Sequence, residues 1–341
     1  IETPWDYTIN ANSAFKPVSR YWDRIERPEQ LMVAGLNAMR VLTDPVETGA
    51  VTLCLPQDTQ AEAYDYPESF FAKRIWHLDR RPLHSRQLKE AVALLSQAEK
   101  PLIIAGGGVH YSLATETLRE FAKTFRIPVC ETQAGKSAMS WKDEMSVGGV
   151  GVTGTSAANL LVKDADVVLV VGSRLQDFTS SSKQGFAVNT KILHLNVSAF
   201  DGNKMDGIAL QADAKSGLEA LSSGLKKIGY KTSDAYANKI SQLKSEWNTE
   251  VDRLYALKND SGNVQTQILG TLNEFVAPED VILCAAGSLP GDLHRLWRCE
   301  LPKTYHLEYG YSCMGYEVAG ALGAKLAWNE GEVYAIVGDG S

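Results

Sequence analysis

An α/β fold built from parallel sheets is what this sequence predicts, and three observations carry the prediction. Short, wholly apolar runs such as Leu102–Ala105, Val167–Val171 and Val281–Cys284 alternate with stretches whose apolar residues recur at helical spacing. Glycine-rich loops follow several of these runs, where open α/β sheets bring backbone N–H groups to strand ends. The chain has 341 residues, 44% hydrophobic and 22% charged, enough for two or three packed domains.

The opening segment is rich in Pro, Trp and Arg as far as Pro28. Glu29–Leu42 then sets Leu31, Ala34, Ala38 and Val41 along one helical face, and Val51–Leu55 reads as a strand closed by Pro56. Tyr64–Leu83, with its Arg80-Arg81-Pro82 cluster, reads as linker because proline restricts both itself and its predecessor. Gln87–Glu99 places Leu88, Ala91, Val92 and Leu95 on one helical face, before the strand that runs into Gly106-Gly107-Gly108. The alternation continues with a helix marked by Leu118, Phe121, Ala122 and Phe125, a strand at Ile127–Cys130, a helix at Ser156–Val162, and strands at Val167–Val171 and Ile192–Val197. Tyr230–Ser261 is polar and Lys-rich with Trp247, Val251 and Leu254 at helical spacing, and reads as a linker helix. A third α/β unit starts near Val264, with strands at Val281–Cys284 and Val333–Val337 and a helix over Gly315–Ala327. The expected division is 1–72, a linker at 73–86, a central domain at 87–226, a linker helix at 227–262 and a last domain at 263–341.

A formal charge of -7, from 34 basic against 41 acidic residues, argues against nonspecific binding to nucleic acid or acidic membranes and favours small-molecule work. Cys54, Cys130, Cys284, Cys299 and Cys313 form no C-x-x-C pair and sit mostly in apolar runs, as reduced cysteines of a cytoplasmic protein would. No apolar stretch approaches the roughly 20 residues of a membrane span. The first residues lack a signal pattern, and Ile1 is not an initiator methionine, so further sequence upstream is expected.

Several loops invite a chemical reading beside a plain one. Gly106–Gly108 resembles a dinucleotide loop, but the spacing is incomplete and a tight turn accounts for the glycines. Gly148–Thr155 precedes a helix that its hydroxyls would cap, the default reading, or else they would hold a ligand. Gly172-Ser173-Arg174 with Asp177 lies where an α/β sheet keeps its ligand crevice, or forms a structural Arg174–Asp177 contact. Gly287–Asp292 and Gly338-Asp339-Gly340-Ser341 each follow a strand of one expected sheet. An aspartate between glycines at a strand end suits a divalent metal holding a diphosphate, although a turn is the common reading of Gly-Asp-Gly alone. Between them, Glu308–Gly323 is a glycine-punctuated loop entering a helix of small residues, able to pack closely on a sheet or a cofactor.

Together these loops resemble the thiamine-diphosphate enzymes of the acetohydroxyacid synthase type. The resemblance implies three-layer parallel-sheet domains of that type: a pyrimidine-domain tail at Ile1–Phe71, the central domain around Lys100–Gly224, and the start of the diphosphate domain. It implies thiamine diphosphate and Mg²⁺ as cofactors, with Asp339 on the metal within Gly338-Asp339-Gly340-Ser341 and with Ala286, Gly287, Ser288 and Leu289 meeting the diphosphate. Met314 would be the apolar wedge that keeps the cofactor bent, and the Ser312 carbonyl would face the aminopyrimidine. The cofactor of this family supplies a nucleophilic thiazolium carbon and an electron sink, while the protein binds and orients. The family's activating glutamate lies upstream of this sequence and its paired asparagines beyond Ser341, so no catalytic residue is assigned and this stretch alone is expected to be inactive. A site shared between subunits implies a homodimer or homotetramer; the run Tyr305–Tyr316 is a candidate interface or is buried within one subunit.

Pro17–Arg24, Leu55–Tyr66, Gly172–Phe178 and Met314–Gly320 are similar to the branch of this family that hydrolytically opens a cyclic polyol-derived dione by C–C cleavage in inositol breakdown. Ala319 stands where synthases carry proline, Glu317 where they carry glycine, and Phe178 where an arginine follows the flavin-associated aspartate, which counts against synthase activity and bound flavin. Another thiamine-diphosphate enzyme, a synthase or decarboxylase, is the nearest alternative. A noncatalytic nucleotide-binding module, resting on Gly106–Gly108 and the central domain, is a more distant one.

Overall fold

The computed structural model describes residues 2–3, 5–260, 262–308 and 310–341, so Ile1, Ser261 and Tyr309 of the stretches above lie outside the described residues. The chain forms two compact units, Ile1–Asp79 and Arg80–Ser341.

In the first unit, β1 (Glu2–Thr3) pairs antiparallel with β2 (Asp6–Asn10). A parallel crossover follows: β3 (Tyr21–Arg24), α1 (Gln30–Leu42) and β4 (Val51–Cys54), with Tyr21 in register with Val51. The helix lies where the apolar spacing predicts it and buries Ala34 and Ala38. The strands before it were not expected, because β3 carries Arg and Asp among its aromatics and its side chains are only half-buried.

The second unit begins with α2 (Ser85–Leu95) and β5 (Pro101–Ala105), then α3 (Thr115–Phe125), β6 (Val129–Glu131), β7 (Ser146–Gly149), α4 (Ser156–Asp164), β8 (Val167–Val171), β9 (Lys191–Asn196), β10 (Ile208–Gln211) and α5 (Ala214–Lys227). The strands form a six-stranded parallel sheet in the order β10-β9-β8-β5-β6-β7. Every residue of β5 and β8 is buried, the mark of a parallel strand covered on both faces. Helix α3 turns Leu118, Phe121, Ala122 and Phe125 inward, the set its spacing predicts, and α5 packs on α2 and α3.

Two departures have local causes. The strand expected at Ile127–Cys130 starts two residues later: Ile127 N–H still bonds the Ala122 carbonyl at the helix end, and Pro128 has no N–H to offer a ladder. The unexpected β7 and β10 are the sheet's edges, where only one neighbour has to be matched and the sequence needs no continuous apolar run.

Helix α6 (Asp234–Tyr255) spans 22 residues of the segment expected as a linker helix, and packs on α4 and on α7 (Gln265–Phe275). A three-stranded parallel sheet follows, with β11 (Val281–Cys284) between β12 (Tyr305–Leu307) and β13 (Val333–Ala335). Helix α8 (Leu289–Leu296) connects β11 to β12, and α9 (Tyr316–Ala327) connects β12 to β13. Cys54, Cys130, Cys284 and Cys299 are free and buried, whereas Cys313 is free and exposed. Among the described residues no helix is long and apolar enough to cross a membrane.

Candidate cofactor site

Because β12, β11 and β13 run parallel, their carboxyl ends lie along one edge and deliver three loops to it. Residues 285–288 follow β11, 308–315 follow β12, and 336–341 follow β13. All the site residues expected from sequence fall in these loops or at the first residue of α8.

In the first loop Ala286 is buried, Gly287 and Ser288 are exposed, and Leu289 opens α8 half-buried. Gly287 has φ +92°, where a side chain would be strained, and a Cβ there would meet nothing within 4 Å. That leaves room for a ligand against backbone N–H groups and the start of α8. In the second loop Met314 is 69% exposed, available as an apolar wedge, and Ser312 sits in the left-handed region at φ +52°. In the third, Gly338 is half-buried while Asp339, Gly340 and Ser341 are exposed.

Two carboxylates that the sequence reading did not assign hold these loops. Glu308 accepts hydrogen bonds from Tyr311 N (3.0 Å) and Cys313 N (2.8 Å), so it brackets the left-handed Ser312 between them. Burial pushes its carboxyl up, but the backbone donors prevail and its pKa stays below the ordinary value. Glu317, fully buried, accepts from Gly315 N (3.0 Å), from Ala286 N (3.4 Å) and from the Ser341 hydroxyl (3.2 Å). Burial raises its pKa too, and its donors again outweigh that and leave it lowered. The Ala286 N–H and the Ser341 hydroxyl, both expected to face a cofactor, therefore face Glu317. The sequence marked Glu317 as a lone acid in a helix of small residues, standing where synthases carry glycine; Glu308 gave no signal, since its partners are backbone groups.

A third unassigned pair joins the same loop. His306 Nε2 lies 2.6 Å from the Tyr316 hydroxyl, with burial pushing the His306 pKa down and the Tyr316 pKa up. Both line a crevice of about 480 Å³ together with Glu308, Tyr311, Gly108 and Arg174. The aromatic run Tyr305–Tyr316 is thus divided, with Tyr305 and Leu307 buried and Tyr311 and Met314 exposed.

The central-domain glycines have a different explanation. Gly108 N donates to Gly172 O at 2.9 Å, and a Cβ on Gly108 would lie 2.6 Å from Gly172 Cα. Gly106 and Gly108 are required by the close approach of the β5 and β8 end loops, whereas a Cβ on Gly107 would meet Ala134 at 3.3 Å; none of the three has positive φ. Arg174 and Asp177 form no ion pair, and Thr155 caps α4 by accepting from Ala158 N, as its sequence suggests.

His294 of α8 docks into the central domain. Its Nε2 lies 3.0 Å from Glu131 O, which can only accept, so Nε2 carries the proton and Nδ1 accepts from the Thr153 hydroxyl at 2.9 Å. Lys136 Nζ donates to His294 O at 3.0 Å. Burial, with Lys136 nearby, pushes the His294 pKa down to about 3, and burial pushes the Glu131 carboxyl up to about 7.

The edge fits an anionic cofactor with a hard cation. It offers an open, positive-φ glycine before a helix start and an exposed carboxylate, Asp339, that no protein group engages among the described residues. Among the described residues no three His, Cys, Asp or Glu cluster as a metal cage. One carboxylate with diphosphate oxygens and water is the ligand set Mg²⁺ favours.

The comparisons with known proteins agree in kind. Residues 88–221 match the central domain of thiamine pyrophosphate enzymes, and residues 285–341 match their C-terminal TPP binding domain. Relatives named 3D-(3,5/4)-trihydroxycyclohexane-1,2-dione hydrolase are 47% identical in Clostridium tetani, 48% in Bacillus anthracis and 49% in Geobacillus thermodenitrificans. Each alignment covers 100% of this chain and 56% of the relative, so the chain spans about half the length of the curated relatives it matches. Carrying both the central and the TPP-binding domain, the chain belongs to the thiamine pyrophosphate enzymes.

Proposed function

We propose that the whole protein hydrolytically opens a trihydroxycyclohexane-1,2-dione ring, using thiamine diphosphate and Mg²⁺. The observation that carries this reading is identity of 47% to 49% along the entire chain to relatives bearing that name. The loop-bearing edge of the last sheet supports it. Asp339 takes the metal; the backbone of Gly287, Ser288 and Leu289 and the glycines Gly338 and Gly340 receive the diphosphate; Ala286 and Ser341 shape that cradle through Glu317. Met314 supports the bent cofactor, and the left-handed Ser312 aims its carbonyl at the aminopyrimidine.

When bound, the cofactor supplies a carbon nucleophile and an electron sink next to the ketone. The chain's own residues hold and orient it. Across the reaction the bond between the two carbonyl carbons breaks, water provides the hydroxyl of the new carboxyl group and a proton for the other carbon, and the product is a deoxy sugar acid. The proposed domains are 1–72, 87–226 and 263–341, with 73–86 and 227–262 as connections. The protein works as a homo-oligomer in the cytoplasm, in keeping with its free cysteines.

Product analysis of the full-length enzyme, given the cyclic dione in one reaction and pyruvate in another, tests the reading. Ring-opened acid from the dione alone supports it. Acetolactate or acetaldehyde from pyruvate, with the dione untouched, would assign the protein to the synthases or decarboxylases.

A further inference from the structure

We propose that Glu317 is a positioning residue that locks the three cofactor-facing loops together before the cofactor arrives. The proposal rests on the cofactor reading above. Glu317 lies in the first turn of α9 and is the one buried residue among that helix's described side chains. One carboxylate oxygen takes both Ala286 N and the Ser341 hydroxyl, and the other takes Gly315 N. The three donors come from the loops after β11, β13 and β12 respectively, so a single side chain joins every loop at the edge.

A helix-start contact alone would explain the bond to Gly315, since carboxylates are favoured in a first helical turn. It would not explain the tethers to the other two strand ends. No Lys or Arg pairs with Glu317 among the described residues, and an uncompensated buried carboxylate is expensive unless its donors are well placed. Glycine or alanine at this position would leave the three donors to find water. An anion beside a diphosphate cradle repels the ligand if it faces it, so Glu317 acts through the groups it holds. By engaging Ala286 N and Ser341 Oγ, it turns the Gly287 and Ser288 N–H groups and the Asp339 carboxylate to the open side.

Asp280 provides a control. It is another buried carboxylate of the same domain, accepting from Ala277 N (2.9 Å) and Glu332 N (2.8 Å), and it reaches none of the three loops. Calorimetric titration of thiamine diphosphate at saturating Mg²⁺, with the apo melting temperature measured in parallel, should be run on the full-length wild type, Glu317→Gln and Asp280→Asn. The expected result is an affinity loss of about tenfold or more in Glu317→Gln, from weakened charge-assisted bonds, with affinity unchanged in Asp280→Asn at a similar drop in melting temperature. Wild-type affinity in Glu317→Gln, or an equal loss in Asp280→Asn, overturns the positioning role while leaving the cofactor assignment intact. A wild type that binds no thiamine diphosphate overturns both. If Glu317→Gln does not fold, Glu317→Asp, which keeps the charge but shortens its reach, is read by the same outcomes.

Discussion

Asp339 leaves the β13 tip exposed and without a protein partner among the described residues, so its role is the simplest to isolate. Asp339→Ala should abolish Mg²⁺-dependent binding of thiamine diphosphate without changing the apo melting temperature, and calorimetry with unchanged affinity would remove the metal assignment. Ser312 presents the opposite situation, a residue whose left-handed backbone is bracketed by the Tyr311 and Cys313 N–H groups, both of which donate to Glu308. Ser312→Gly should relieve strain and stabilise the protein by up to about 1 kcal/mol in urea unfolding, while lowering turnover as the loop loosens. His294 and Glu131 give a pH dependence with opposing signs. The His294 pKa is about 3 against an ordinary 6.5, so the native state binds fewer protons and stability is lost as pH falls from 6.5 towards 3. The Glu131 pKa is about 7 against 4.5, so the native state binds more protons and stability is lost as pH rises from 4.5 to 7. The two offset each other between 4.5 and 6.5. Unfolding free energy should therefore be nearly flat there and fall by about 2 kcal/mol as pH drops from 4.5 towards 3. In His294→Gln, measured by the same urea titrations, the acid limb should shrink.

Elements differ in how openly the sequence declares them. β5, β8 and β11 are buried along their whole length, so each appears as an apolar run, and the helices facing them carry complementary stripes. β7 and β10 are edge strands, and β12 is only three residues long; none has an apolar run long enough to read. The glycine loops were legible as chemistry because a strand followed by Gly, Asp and Ser has few uses. Their fastening was not, since Glu308 works through backbone N–H groups of its own loop and Glu317 reaches the Ala286 N–H and the Ser341 hydroxyl of two other loops, partnerships that residue types and spacing do not reveal. Gly106 and Gly108 were legible as special but for a different reason, the contact with Gly172. Gly108→Ala would push a Cβ into backbone at 2.6 Å and should destabilise the protein by about 3 kcal/mol in chemical denaturation, with no ligand present. Tolerance of alanine there would mean the two end loops are not in contact.

At the scale of the molecule, the second unit combines a large sheet that supplies most of the core with a small one that carries the candidate cofactor loops. The six-stranded sheet and its helices contain the main cluster of buried apolar residues, while the three-stranded sheet adds a smaller cluster and carries the loops. Helix α8 links the two roles, since it begins at the cradle with Leu289 and ends docked through His294 against Thr153 and Glu131. The central claim is that the three-loop edge binds thiamine diphosphate through a divalent metal. Thermal unfolding of the full-length protein tests it most directly. The account predicts stabilisation by thiamine diphosphate with Mg²⁺, about 2.7 kcal/mol at a ligand concentration one hundred times the dissociation constant, disappearing with a chelator and in Asp339→Ala. Stabilisation by an adenine nucleotide without metal, and none by thiamine diphosphate with Mg²⁺, would contradict it.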